Sequence, residues 1–154
     1  MYQEKDLEAL NREIKITRLK AYIPAALLIA GGIAAFILRS KYVTIALFIL
    51  GGILFIFSAD MLVSPLKAYR RHLRNALSSD QKEYTGVLKQ MGDNAVEREG
   101  VMYYPLCLNV GDPDEEEDDR LLYYDANIPR PAWQLGDRLY IRSSARYVSD
   151  WKKL

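Results

Sequence analysis

Two stretches of 18 residues carry no charge at all: AYIPAALLIAGGIAAFIL, from Ala21, and YVTIALFILGGILFIFSA, from Tyr42. Only Arg39, Ser40 and Lys41 separate them. At about 1.5 Å of rise per residue each run makes a helix of roughly 27 Å, close to the hydrocarbon thickness of a bilayer. Neither run keeps the polar stripe that an amphipathic helix of a soluble protein turns to water. The pattern predicts a transmembrane helical hairpin over residues 21–63, with spans at about 21–39 and 42–60.

The segments flanking the hairpin change character. In residues 1–20 the positions Leu7, Leu10, Ile14 and Thr17 fall at a and d spacing, with Glu8 and Arg12 four apart, which predicts a charged amphipathic helix leading into the first span. The first span then opens with Pro24 in its first turn. Asp60 marks the inner end of the second span, and Ser64 followed by Pro65 reads as an N-cap and first helical position of a new helix over 64–79. That helix sets Leu66, Tyr69, Leu73 and Leu77 on one side. Lys67, Arg70, Arg71 and Arg74 occupy the rest, a pattern suited to anionic lipid headgroups at a membrane surface. His72, the single histidine, lies in this basic run and reads as a surface residue without a metal or catalytic partner.

The two apolar runs also resemble each other. ALLIAGGI at 26–33 aligns with ALFILGGI at 46–53 with six of eight positions identical. Gly31, Gly32 and Ala35 on one helix and Gly51 and Gly52 on the other are candidate close-packing positions, either within the hairpin or in a homo-oligomer or membrane-protein partner seam. The absence of a charge within either run argues against an ion or proton path.

Beyond residue 80 the period shortens to that of strands. Tyr84–Gln90 and Ala95–Arg98 read as a hairpin around the turn MGDN. Val101–Val110, Arg120–Asp125 and Arg138–Ser143 read as further strands, with Gly86, Gly92, Gly100, Gly111 and Gly136 as turn markers. Tyr104, Leu106, Leu108 and Val110 share one face, Cys107 takes the other, and Pro105 suggests an edge or bulge. Five or six short strands in residues 80–154 predict a small all-β, barrel-like domain whose tyrosines and tryptophans serve its core.

Charge sharpens this division. Residues 1–79 carry 11 Lys and Arg against 5 Asp and Glu, and residues 80–154 carry 10 against 15, so the net +1 hides a basic proximal half and an acidic distal one. Basic residues cluster on both outer flanks of the hairpin and only Arg39 and Lys41 lie in its bend, so the positive-inside rule places both termini in the cytoplasm. The highly charged start has no cleavable-signal pattern.

The pieces TGVL, YYPLCLNV and LGDRLYIRSS, over roughly residues 84–143, resemble an uncharacterised family of small bacterial membrane-anchored proteins whose β domain shows a Gly-Val strand, a Tyr-x-Pro strand and a Gly-Asp turn. The resemblance implies a β module anchored in a bacterial inner or plasma membrane. It brings no ligand or reaction with it. The chain departs from that pattern in placing both helices before the domain.

Chemistry narrows the function classes by subtraction. A single cysteine allows no intramolecular disulfide and no Cys-rich zinc site. No GxSxG, HExxH or GxxxxGKS pattern occurs. Carboxylate pairs such as Asp125 with Asp137 have the chemistry for acid and base work, although nothing in the sequence fixes their spacing. The run GDPDEEEDDR offers Asp112, Asp114, Glu116 and Asp118 as candidate cation ligands, although EF-hand spacing is absent and the run equally suits a solvated loop. Arg138, Arg142 and Arg146 form a local basic stripe, but an acidic domain is a poor match for nucleic acid. The resulting expectation is a non-enzymatic membrane-anchored interaction or assembly module without cofactor. A membrane-associated enzyme, or a sensing domain built on the acidic loop, stands as the alternative.

Overall fold

The computed structural model describes residues 1–78, 80–112 and 115–154, and for Glu116 the backbone alone. Two compact units emerge: Glu8–Arg70, and Met1–Leu7 together with Arg71–Leu154. The fold is a helical hairpin plus a small β-barrel.

In the first unit, helix α1 spans Glu4–Ile37 and α2 spans Lys41–Phe57. The lead-in and the first span are one continuous helix, with Leu10 and Ile14 buried and Leu7 and Thr17 half-buried along the expected stripe. Pro24 therefore lies inside a helix and not in its first turn, where it leaves the Lys20 carbonyl without its usual donor. The hairpin seam is lined by small residues. Ala21, Ala25, Gly32 and Ala35 are buried on α1, and Thr44 and Gly51, seven apart, on α2.

A Cβ added at Gly51 would stand 3.0 Å from Ile29 Cγ1 and 3.4 Å from the Ala25 carbonyl oxygen, so the helices touch there through backbone. A Cβ at Gly32 would stand 3.4 Å from the Phe48 ring, and one at Gly31 3.5 Å from Leu47. Gly52 faces open space. Consecutive helical residues point about 100° apart, so of Gly51 and Gly52 only Gly51 meets the facing helix, whereas Gly31 and Gly32 both reach it.

Beyond α2 the chain makes a π turn, Ser58–Val63, and continues as α3, Ser64–Ala76. Ser64 is helical and its N–H bonds to the Ala59 carbonyl, five residues back, so it is not an N-cap. The widened turn immediately before Pro65 gives its ring the room an α turn denies. Both long helices, Glu4–Ile37 and Lys41–Ala76, are long and apolar enough to cross a membrane.

The second unit contains β1 (Lys82–Met91), β2 (Val96–Arg98), β3 (Val101–Asn109), β4 (Asp119–Asp125), β5 (Arg138–Ser144) and β6 (Tyr147–Lys153). The order β1-β5-β6-β4-β3 closes through β1–β3 into a five-stranded barrel, with β2 added outside on β3. All pairs are antiparallel except β4–β6. The expected β1–β2 hairpin does not form: β1 pairs with β5 and β3, and β2 with β3 alone.

Closure depends on β1 serving two neighbours. Its Lys82–Val87 half pairs with β5 and its Val87–Met91 half with β3. Gly86 sits at that crossing and is no turn residue, because a Cβ there would collide with the Asn109 backbone carbonyl. Pro105 falls where β3 passes from the β1 register, ending at Leu106, to the β2 register, beginning at Tyr103. The missing N–H costs no ladder bond on that side. Leu88, Leu106, Leu108, Leu122, Leu139, Ile141 and Val148 fill the interior, with Tyr104, Val110, Trp133 and Trp151 packed around them.

Candidate functional site

Strand alternation sends every second residue out of the barrel. On β4, Leu122 and Tyr124 face the core and Tyr123 and Asp125 face outward; on β3, Tyr103 is outward. Tyr147, at the start of β6, joins them. These outward positions make a second cluster: Tyr103 and Tyr147 stand with ring centroids 4.8 Å apart, and Tyr123 and Tyr147 5.9 Å apart.

His72 completes that cluster, with ring centroids 5.3 Å from Tyr103 and 5.8 Å from Tyr147. It is 6% exposed, so the surface position expected from its basic neighbours is wrong. The missed signal was the helical period: His72 shares its face with Leu73 and Ala76, and all three are buried, while Lys67, Arg70, Arg71 and Arg74 are exposed.

A chain of hydrogen bonds runs through the imidazole. Tyr103 Oη lies 2.9 Å from Nδ1, Tyr2 Oη lies 2.9 Å from Nε2, and the Tyr2 hydroxyl donates to Asp125 Oδ2 at 3.0 Å. With Tyr2 donating to Asp125, its oxygen accepts from Nε2–H, which leaves Nδ1 as the acceptor for the Tyr103 hydroxyl. One neutral tautomer satisfies every bond. Burial accordingly pulls the His72 pKa below 6.5, against the opposing pull of Asp125 and Glu99. Asp125 is fully buried, and its other oxygen accepts from the Asn127 backbone and side-chain N–H groups, both at 2.9 Å.

Beside the cluster lies a cleft of ≈ 580 Å³ lined by Glu97, Arg98, Glu99, Tyr123, Arg146 and Tyr147. The Arg98 guanidinium sits 5.6 Å from the Tyr123 ring centroid, and the Tyr147 hydroxyl donates to Glu99 at 3.4 Å. Burial raises the Tyr147 pKa, with Glu99 adding to it. Tyr123 and Tyr147 thus line the cleft and also pack into the tyrosine cluster that holds His72. The arrangement can receive a polar or charged group at its open side while the imidazole and Asp125 remain shielded.

The other candidates are placed apart. Asp137 accepts from the Gln134 N–H and from Lys153, which hold its pKa down, whereas Asp125 accepts from Tyr2 and Asn127. Of the acidic run, Asp114 and the Glu116 side chain lie outside the described residues. Asp118 accepts from the Asp112 N–H at 2.9 Å, and Asp119 from Asn109 and Lys89, so these carboxylates tie the neck of their own loop. Among the described residues no three His, Cys, Asp or Glu side chains converge as a metal site. Arg142 pairs with Glu83 at 3.2 Å, which breaks the basic stripe. Burial, with Asp119 beside it, raises the Cys107 thiol pKa, which disfavours the thiolate. No family model matches the chain, and neither a curated protein nor a solved structure is significantly similar to it.

Proposed function

We propose that this chain is a membrane-anchored, non-enzymatic interaction or assembly module. Its hairpin crosses the bilayer, both termini are cytoplasmic, and the barrel offers its charged cleft to a protein partner or a second copy at the membrane face. The outer surface of the hairpin carries the reading. Twenty large apolar side chains between Ile16 and Leu62 are exposed. At about 1.5 kcal/mol for each, moving them from water into lipid would gain on the order of 30 kcal/mol, more than the roughly 5–15 kcal/mol that keeps a domain folded. A soluble core helix buries its apolar window, whereas these windows are 22% and 17% buried. The basic flanks supply the orientation.

Two features support binding over catalysis. The one histidine is sealed under aromatic rings with both nitrogens engaged, and the barrel interior is filled by aliphatic side chains. The test is reciprocal cross-linking and mild-detergent purification of the full chain against its Arg98→Glu, Arg146→Glu form. A stoichiometric partner or second copy held by the native cleft and released by the variant is expected. A monomer with no cleft-dependent partner would contradict the proposal.

A further inference from the structure

At the bend of the hairpin, Phe36, Ile37, Thr44 and Ile45 wall a groove of ≈ 620 Å³ with Arg39 and Lys41 at its mouth. Phe36 and Ile37 are 72% and 73% exposed, so the walls are apolar surface without a protein cover. We propose that this groove holds one anionic phospholipid, its phosphate between Arg39 and Lys41 and its acyl chain along the apolar walls. The inference rests on the reading that the hairpin spans a bilayer.

Charge complementarity selects the occupant. No Asp or Glu occurs between Glu13 and Asp60. Along helices rising about 1.5 Å per residue, both acids lie roughly 30 Å or more of chain from the bend, several screening lengths away. Among the described residues neither Arg39 nor Lys41 has an acidic partner on this unit. The positive-inside rule also disfavours basic residues on this side of the membrane, so two of them in a short bend go against the general trend.

The backbone adds to the case. Arg39 adopts φ +57°, with its N–H bonded to the Phe36 carbonyl and the Ser40 N–H to the Ala35 carbonyl. Helices that end in this way place glycine at the left-handed position, and an arginine there is strained. Ser40 makes no side-chain cap to α2, so the positive end of that helix opens toward the same mouth. Soluble anions would leave the apolar walls wet; a phospholipid fills both halves.

The test uses the full chain reconstituted with dioleoyl phosphatidylglycerol or dioleoyl phosphatidylcholine, with retained lipid counted by native mass spectrometry. Wild type is expected to retain one phosphatidylglycerol and no phosphatidylcholine, and added inorganic phosphate should not displace it. Arg39→Gly, Lys41→Ser relieves the strained backbone, so the fold is kept while retention drops about tenfold or more. Lys152→Ser, an exposed cation on β6, should retain the lipid. Equal retention of both lipids, retention unchanged in the bend variant, or displacement by phosphate would overturn the proposal. Alkaline extraction of the same vesicles separates the two readings: an inserted chain without lipid preference sinks only this one, and an extractable chain sinks both.

Discussion

The Tyr103 hydroxyl lies 2.9 Å from Nδ1 of His72, and the Tyr2 hydroxyl occupies the other ring nitrogen at the same distance. Because burial lowers the His72 pKa below 6.5, the unfolded chain takes up a proton that the folded one refuses. Stability is therefore full above about pH 6.5 and falls as pH drops through and below it. Thermal unfolding of the full chain in detergent should show this acid slope, and His72→Asn should flatten it. An unchanged slope in the variant would place the sensitivity elsewhere.

Removing the Tyr103 hydroxyl isolates one bond of that chain. Tyr103→Phe keeps the ring stacked on Tyr147 but leaves buried Nδ1 without its donor, at a cost of about 1–3 kcal/mol. Denaturant unfolding measures it. A neutral effect would mean that another donor reaches Nδ1.

Two glycines of the barrel should respond unequally to alanine. At Gly86 the new Cβ meets the Asn109 backbone, which cannot move without parting β1 from β3, so Gly86→Ala is expected to cost about 3 kcal/mol or more, or to prevent folding. Gly136, at φ +90° with open space around it, should lose only about 1–2 kcal/mol to backbone strain. Thermal melts of the two variants should rank in that order, and the reverse order would contradict the closure of the barrel through β1.

The hairpin makes a parallel contrast. Gly51→Ile drives a branched side chain into Ile29 and the Ala25 carbonyl, while Gly52→Ile points into open space. Disulfide trapping between cysteines placed at Ala35 and Thr44, in a Cys107→Ser background, should fail in the first and persist in the second. Equal trapping would reject the seam.

Much of this architecture could be read from local pattern. Uncharged length marked the two long helices, and the alternation of Tyr104, Leu106, Leu108 and Val110 marked the inner face of β3. Pairing order could not be read, because β1 closes onto β3 and β5 through contacts distant in sequence, and β6 at Tyr147–Lys153 carries too few apolar residues to announce itself. The Ser64–Pro65 break was misread because a π turn can absorb a proline as well as a helix start can. The histidine site was missed because charge dominates its neighbours, although its spacing to Leu73 and Ala76 already placed it on the buried face. Its partners Tyr2 and Asp125 are 70 residues before it in one case and far beyond it in the other, and no local pattern joins them.

The most direct test of the account is alkaline carbonate extraction of membranes carrying the full chain, followed by ultracentrifugation. Twenty exposed apolar side chains along the hairpin predict that the chain stays in the membrane pellet. Its release into the aqueous supernatant would contradict the account.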